Sequence, residues 1–102
     1  MRSLLAYALL AGAALAADLP PGGSARLERL VVQDCGSCHG LRLTGGLGLP
    51  LTPEALAHAA PEAIAAIILD GVPGTAMPPW RPLLTEDEAL WIADYLLNGG
   101  AE

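Results

Sequence analysis

Lysine and phenylalanine are both absent from this chain of 102 residues, and its only two cysteines stand three positions apart. Without lysine there is no basic patch for nucleic acid or an anionic membrane, and a formal net charge of −6 argues the same way. The same deficit excludes a lysine-ringed docking edge and points to partners with a neutral or basic docking face. Two cysteines in one short stretch leave none for a disulfide across the fold. Aromatics are scarce as well, with two Trp and two Tyr. So short a chain buries little core of its own, and such domains are commonly held by disulfides, metals or a cofactor. Long apolar runs are missing, with one exception. Arg2 precedes a run from Leu4 to Ala17 that ends in Ala14-Leu15-Ala16, the form of a secretory signal cleaved after Ala16. It falls short of the roughly 20 apolar residues of a membrane helix. The expected organisation is a signal peptide over 1–16, a flexible leader over 17–23 and one domain over 24–100. The expected location is the periplasm, with no membrane span in the mature chain.

What is present is concentrated in Cys35-Gly36-Ser37-Cys38-His39. C-x-x-C-H is the spacing at which two thiols join covalently to the vinyl groups of one haem, while the following imidazole is left to meet the iron. Export fits this chemistry, since haem c is attached outside the cytoplasm. Two other readings of the same residues stay open. A dithiol redox motif wants a βαβ context that the chain does not offer. A zinc site from Cys35, Cys38, His39 and His58 would strain two adjacent residues onto one tetrahedral ion.

Helix signals surround the motif. Ser24 is placed to cap a helix running from Ala25 towards Asp34, with Leu27, Leu30 and Val31 on one face and Cys35 continuing it. Gly40 to Leu51, with Gly45, Gly46, Gly48 and Pro50, is a close-wrapping loop. Thr52-Pro53 starts a short helix through about Ala59. Pro61 starts another, with Ile64, Ile67 and Ile68 as its apolar face and Gly71 as its stop. Gly71 to Leu84 is irregular, carrying Pro73, Pro78, Pro79 and Pro82. Thr85 and Glu88 form a capping box for a last helix to about Asn98, with Ile92 and Leu96 on one stripe and Trp91 and Tyr95 on another. The carboxylates at helix starts are explained by capping, and no acid–base constellation for an enzyme is visible.

An electron-transfer haem needs a sixth ligand. Met77 is the thioether left once Met1 departs with the signal, and its proline-stiffened loop suits holding sulfur at iron. His58 is the competitor, and its imidazole would lower the potential relative to methionine.

With C-x-x-C-H near the N-terminus, a Met77-Pro78 loop and a terminal helix reading Trp91-Ile92-Ala93-Asp94-Tyr95-Leu96, the chain resembles class I c-type cytochromes. The resemblance implies an all-α cytochrome c fold of about four short helices around one covalently attached haem c, bound through Cys35 and Cys38. His39 and Met77 are its implied iron ligands. The N- and C-terminal helices would cross, with Leu27, Leu30 and Val31 meeting Ile92, Tyr95 and Leu96. It further implies a backbone carbonyl for the second ring proton of His39, with Pro50 as the matching position, and propionate contacts from Arg42, Thr75 and Trp80. The stretch from Gly45 through Glu54 to Trp80 is similar to small monohaem cytochromes that accompany haem-containing dissimilatory nitrite reductases. This implies a periplasmic one-electron carrier between a donor and an acceptor, with the nitrite reductase of denitrification as an implied partner. The alternatives are a haem-handling protein serving maturation of the reductase's special haem, and a haem-based ligand sensor with a displaceable Met77.

Overall fold

The computed structural model describes residues 19–100, so the expected signal and the start of the leader lie outside the described residues. Among the described residues every regular element is helical: α1 (Gly23–Leu30), a π-helical turn (Val31–Cys35), α2 (Gly36–His39), α3 (Pro53–Leu56), α4 (Pro61–Asp70) and α5 (Glu86–Leu97). The first three run on without a break, giving four helical bodies as the resemblance implied. None is long and apolar enough to cross a membrane.

Helix starts follow local chemistry. Thr52 accepts a bond from the Ala55 amide, with Pro53 at the first helical position. Thr85 and Glu88 form the full capping box of α5, and Glu86, Asp87 and Glu88 lie in its first turn, where the positive helix end favours them. The start of α1 differs from expectation, because Ser24 does not cap it. The Gly23 amide bonds to the Pro20 carbonyl at 2.9 Å and Gly22 takes φ 77°, so a Pro21-Gly22 turn feeds the chain directly into the helix. α3 also ends earlier than expected, at Leu56, leaving His58 exposed in the turn that follows.

The core joins α1, α4 and α5. Leu27, Val31, Ala89, Ile92 and Ala93 are fully buried, with Ile64, Ala65, Ile68, Leu69 and Leu96 around them. α1 packs on α5, which is the implied terminal-helix crossing, and α4 packs on α5 more extensively. An Arg26–Glu88 ion pair also ties α1 to the start of α5. Beside the core, Trp91 and Tyr95 stack with ring centroids 5.0 Å apart and planes 17° apart. Partial burial raises the Tyr95 hydroxyl pKa, and the nearby Glu28 carboxylate adds to the effect. One expected core position is not in the core: Ile67 is 49% exposed, because α4 buries 64/65 and 68/69 and turns 67 outwards.

Candidate functional site

The attachment motif sits where the helix changes pitch. The Gly36 amide reaches back to the Val31 carbonyl, a five-residue step that inserts one residue into the α ladder just before the motif. Val31 therefore stays in the core while Cys35 is only half-buried and Cys38 exposed. Both cysteines are free thiols. Burial, with the Asp34 carboxylate adding to it and a backbone hydrogen bond opposing it, pushes the Cys35 thiol up to about 11. The dithiol reading lacks its βαβ setting, since every regular element among the described residues is helical. Nor do three or more His, Cys, Asp or Glu side chains converge as a metal site among the described residues.

His39 is held from behind. Its Nδ1 lies 2.7 Å from the Leu49 carbonyl oxygen. A carbonyl can only accept, so Nδ1 carries the proton and Nε2 is left with its lone pair, and the bond makes the imidazole a better ligand. Here the structure corrects the Pro50 assignment: the acceptor is the carbonyl one residue earlier. Pro50 stands next to the acceptor, and a residue preceding proline is biased towards extended backbone. The loop is folded onto the motif by bonds from the Gly45 amide to the His39 carbonyl (2.9 Å) and from the Gly48 amide to the Cys38 carbonyl (2.7 Å). A Cβ on Gly48 would stand 2.7 Å from both Cε1 and Nδ1 of the His39 ring, so only glycine fits. Leu43 pins the loop to the core, buried to 2% exposure at φ 61°.

Met77 belongs to a second ordered loop. Gly71 ends α4 at φ 67°, and a Cβ there would lie 2.7 Å from the Met77 carbonyl oxygen. The Thr75 hydroxyl donates to the Val72 carbonyl (2.7 Å) and accepts from the Met77 amide (3.2 Å), so this side chain shapes the loop. The loop is closed at its base by bonds from the Trp80 and Arg81 amides to the Ile68 and Leu69 carbonyls, 3.1 and 2.9 Å. Arg81 adds a two-point bond to Asp70, Nε–Oδ1 at 2.8 Å and Nη2–Oδ2 at 3.0 Å. That guanidinium holds the Asp70 carboxyl below its usual range. Met77 is half-buried, and Trp80 is half-buried against the core. Arg42 is exposed and forms no ion pair among the described residues.

The structure thus gathers Cys35, Cys38 and His39 under one glycine-rich loop, and Met77, Thr75 and Trp80 in one clamped loop. His58 belongs to neither loop and lies on the exposed turn after α3. Sequence reasoning missed Leu49 and the Arg81–Asp70 clamp, whereas Gly48 was read as part of a close-wrapping loop, which its contact with the His39 ring bears out. The donor set fits a haem: two thiols one helical turn apart, an imidazole with Nε2 free, and a thioether in a fixed loop. Large apolar side chains stand exposed on the same two loops, Leu41, Leu47 and Leu49 on one and Val72 and Leu83 on the other. Such surface suits the flat apolar faces of a porphyrin.

Comparison with known proteins gives a consistent picture. Residues 23–96 match the family described as "Cytochrome C oxidase, cbb3-type, subunit III". The chain is 58% identical over 101 residues to cytochrome c55X of Paracoccus denitrificans (strain Pd 1222), covering 99% of this chain and 98% of that one. A solved structure of the c-type cytochrome NirC superposes with a TM-score of 0.78 at 52% identity, over 81% of this chain and 98% of that chain. The chain is also 37% identical over 92 residues to dihydro-heme d1 dehydrogenase of Pseudomonas aeruginosa, covering 90% of this chain but 18% of that protein.

Proposed function

Because this chain belongs to the family of the cbb3-type cytochrome c oxidase subunit III, and is a small c-type cytochrome with haem c as its cofactor, we propose that it shuttles single electrons between periplasmic redox proteins. Haem c supplies the redox couple, one electron taken up and given back at the iron. The protein's part is to hold, orient and bury it. Cys35 and Cys38 would carry the thioether bonds, and His39 would bind iron through Nε2, its ring held by the Leu49 carbonyl. Met77 would supply a second iron ligand from a loop whose base Arg81 and Asp70 clamp. The observation that carries this reading is the 2.7 Å bond from His39 Nδ1 to Leu49, which prepares Nε2 for iron beside two free thiols. The relatives of like length are cytochromes by name, and the chain is an electron carrier, not an enzyme. The similarity of Gly45 to Trp80 to cytochromes that accompany nitrite reductases supports a denitrification setting, with that reductase as acceptor. Export is supported by the signal-like start of the sequence.

A second reading is favoured by the likeness to part of dihydro-heme d1 dehydrogenase. A dehydrogenation releases two electrons, and a one-electron carrier at such a site would accept them in successive encounters. The chain would then serve maturation of a special haem.

Comparing Met77→Ala with His58→Ala in the holoprotein tests the ligand assignment. Met77→Ala is expected to lower the reduction potential and open the iron to carbon monoxide, with His58→Ala indistinguishable from wild type. The reverse pattern would transfer the ligand role to His58.

A further inference from the structure

The chain from Val72 to Met77 is folded into a closed turn by its own main chain and one hydroxyl. The Val72 amide bonds to the Met77 carbonyl at 3.2 Å, and the Thr75 amide bonds back to the Val72 carbonyl at 3.1 Å. The Thr75 hydroxyl completes the turn, donating to that same Val72 carbonyl at 2.7 Å and accepting from the Met77 amide at 3.2 Å. Met77 is thereby held at both of its main-chain polar groups. Gly71 lets Met77 and Pro78 lie against the end of α4, and the Trp80 and Arg81 amides tie the far side of the loop to the Ile68 and Leu69 carbonyls. These contacts set where the loop sits. The Met77 amide is left to Thr75, and Pro78 and Pro79, which follow, have no amide to offer.

The donor count of a hydroxyl decides what else Thr75 can do. It has one proton to give, and that proton goes to Val72. An ionised propionate only accepts, so a bond to it would take the proton from the Val72 carbonyl and open the turn. Both partners of the hydroxyl are main-chain atoms of the same loop, so the arrangement follows from the loop's own fold. Threonine suits the task, because a β-branched side chain is stiff at χ1 and keeps its hydroxyl aimed.

We propose that Thr75 is a positioning residue for Met77, its hydroxyl bridging Val72 to the Met77 amide and so setting how readily the thioether leaves the iron, in place of the propionate contact its position implied. This rests on the reading of Met77 as an iron ligand. A thioether is neutral and brings no charge attraction to the iron, so its hold depends on a loop already arranged to keep it there.

Imidazole is the probe, added to the oxidised holoprotein, where it takes the place of methionine and bleaches the near-infrared sulfur-to-iron band. At saturating imidazole the rate is that of Met77 leaving. Thr75→Val keeps the shape and removes the hydroxyl, and is expected to raise this limiting rate about tenfold, equivalent to about 1.4 kcal/mol. Thr75→Ser restores the hydroxyl and is expected to stay within about threefold of wild type. The pH dependence of the reduction potential, which follows propionate ionisation, is expected to be the same in all three proteins. Equal limiting rates for wild type and Thr75→Val would overturn the proposal, and a shifted pH dependence alongside them would return Thr75 to a propionate. A rise that Thr75→Ser shares in full would also overturn it, since the hydroxyl would then not be the cause. A wild-type protein without the near-infrared band would instead overturn Met77 as a ligand, and the role of Thr75 would fall with it.

Discussion

At the scale of single residues, the site depends on positions with little or no side chain. Gly48 lets the loop lie against the His39 ring, where a Cβ would sit 2.7 Å from two ring atoms. Gly48→Ala should therefore displace the imidazole, weaken its bond to Leu49 and cost about 1–3 kcal/mol in stability. Denaturant titration of the holoprotein measures the second effect and the reduction potential the first. These details show where the sequence was readable. Cys35, Cys38 and His39 are legible because their chemistry depends on side chains at fixed spacing. The acceptor for His39 is a main-chain carbonyl, which any residue possesses, so no letter marks it. Pro50 was the visible residue, and it stands next to the acceptor.

At the scale of elements, capping was legible and pitch was not. Thr52, Thr85 and Glu88 act as their spacing implies. Thr85→Ala should destabilise the protein by about 1 kcal/mol, seen as a lower melting temperature. The π turn, by contrast, has no sequence mark: Leu27, Val31 and Cys35 fit an unbroken 3.6-residue period, yet the helix takes an extra residue between Val31 and Gly36. Ile67 misled for a related reason, since three isoleucines at helical spacing read as one core stripe, whereas the buried stripe is completed by Ala65 and Leu69. The Arg81–Asp70 clamp joins residues across the Met77 loop, a pairing that only the folded backbone reveals. Arg81 depresses the Asp70 pKa in the folded state, so the clamp's contribution is present above the ordinary carboxylate pKa and is lost as pH falls through the depressed one. The melting difference between wild type and Arg81→Ala should therefore be small, because the pair is exposed. It should be present at pH 7 and fade below about pH 4.

At the scale of the whole molecule, three helices share one modest core in which Leu27, Ile92 and Val31 are the largest fully buried side chains. Ile92→Ala should cost about 2–5 kcal/mol, a large share of the stability of a domain this small. The all-helical fold was legible because its elements are short, well capped and separated by glycine and proline. The crossing of the first and last helices came from the resemblance, and α1 packed on α5 bears it out. Chain, motif and relatives converge on a small c-type cytochrome, and the proposed ligands His39 and Met77 would leave its iron closed to added gas. The most direct test is the optical spectrum of the purified holoprotein, oxidised and reduced, with and without carbon monoxide. The account predicts a sharp reduced c-type spectrum, a weak near-infrared sulfur-to-iron band when oxidised, and no response to carbon monoxide. A spectrum that shifts on adding the gas, with no near-infrared band, would contradict it by showing an iron that Met77 does not close.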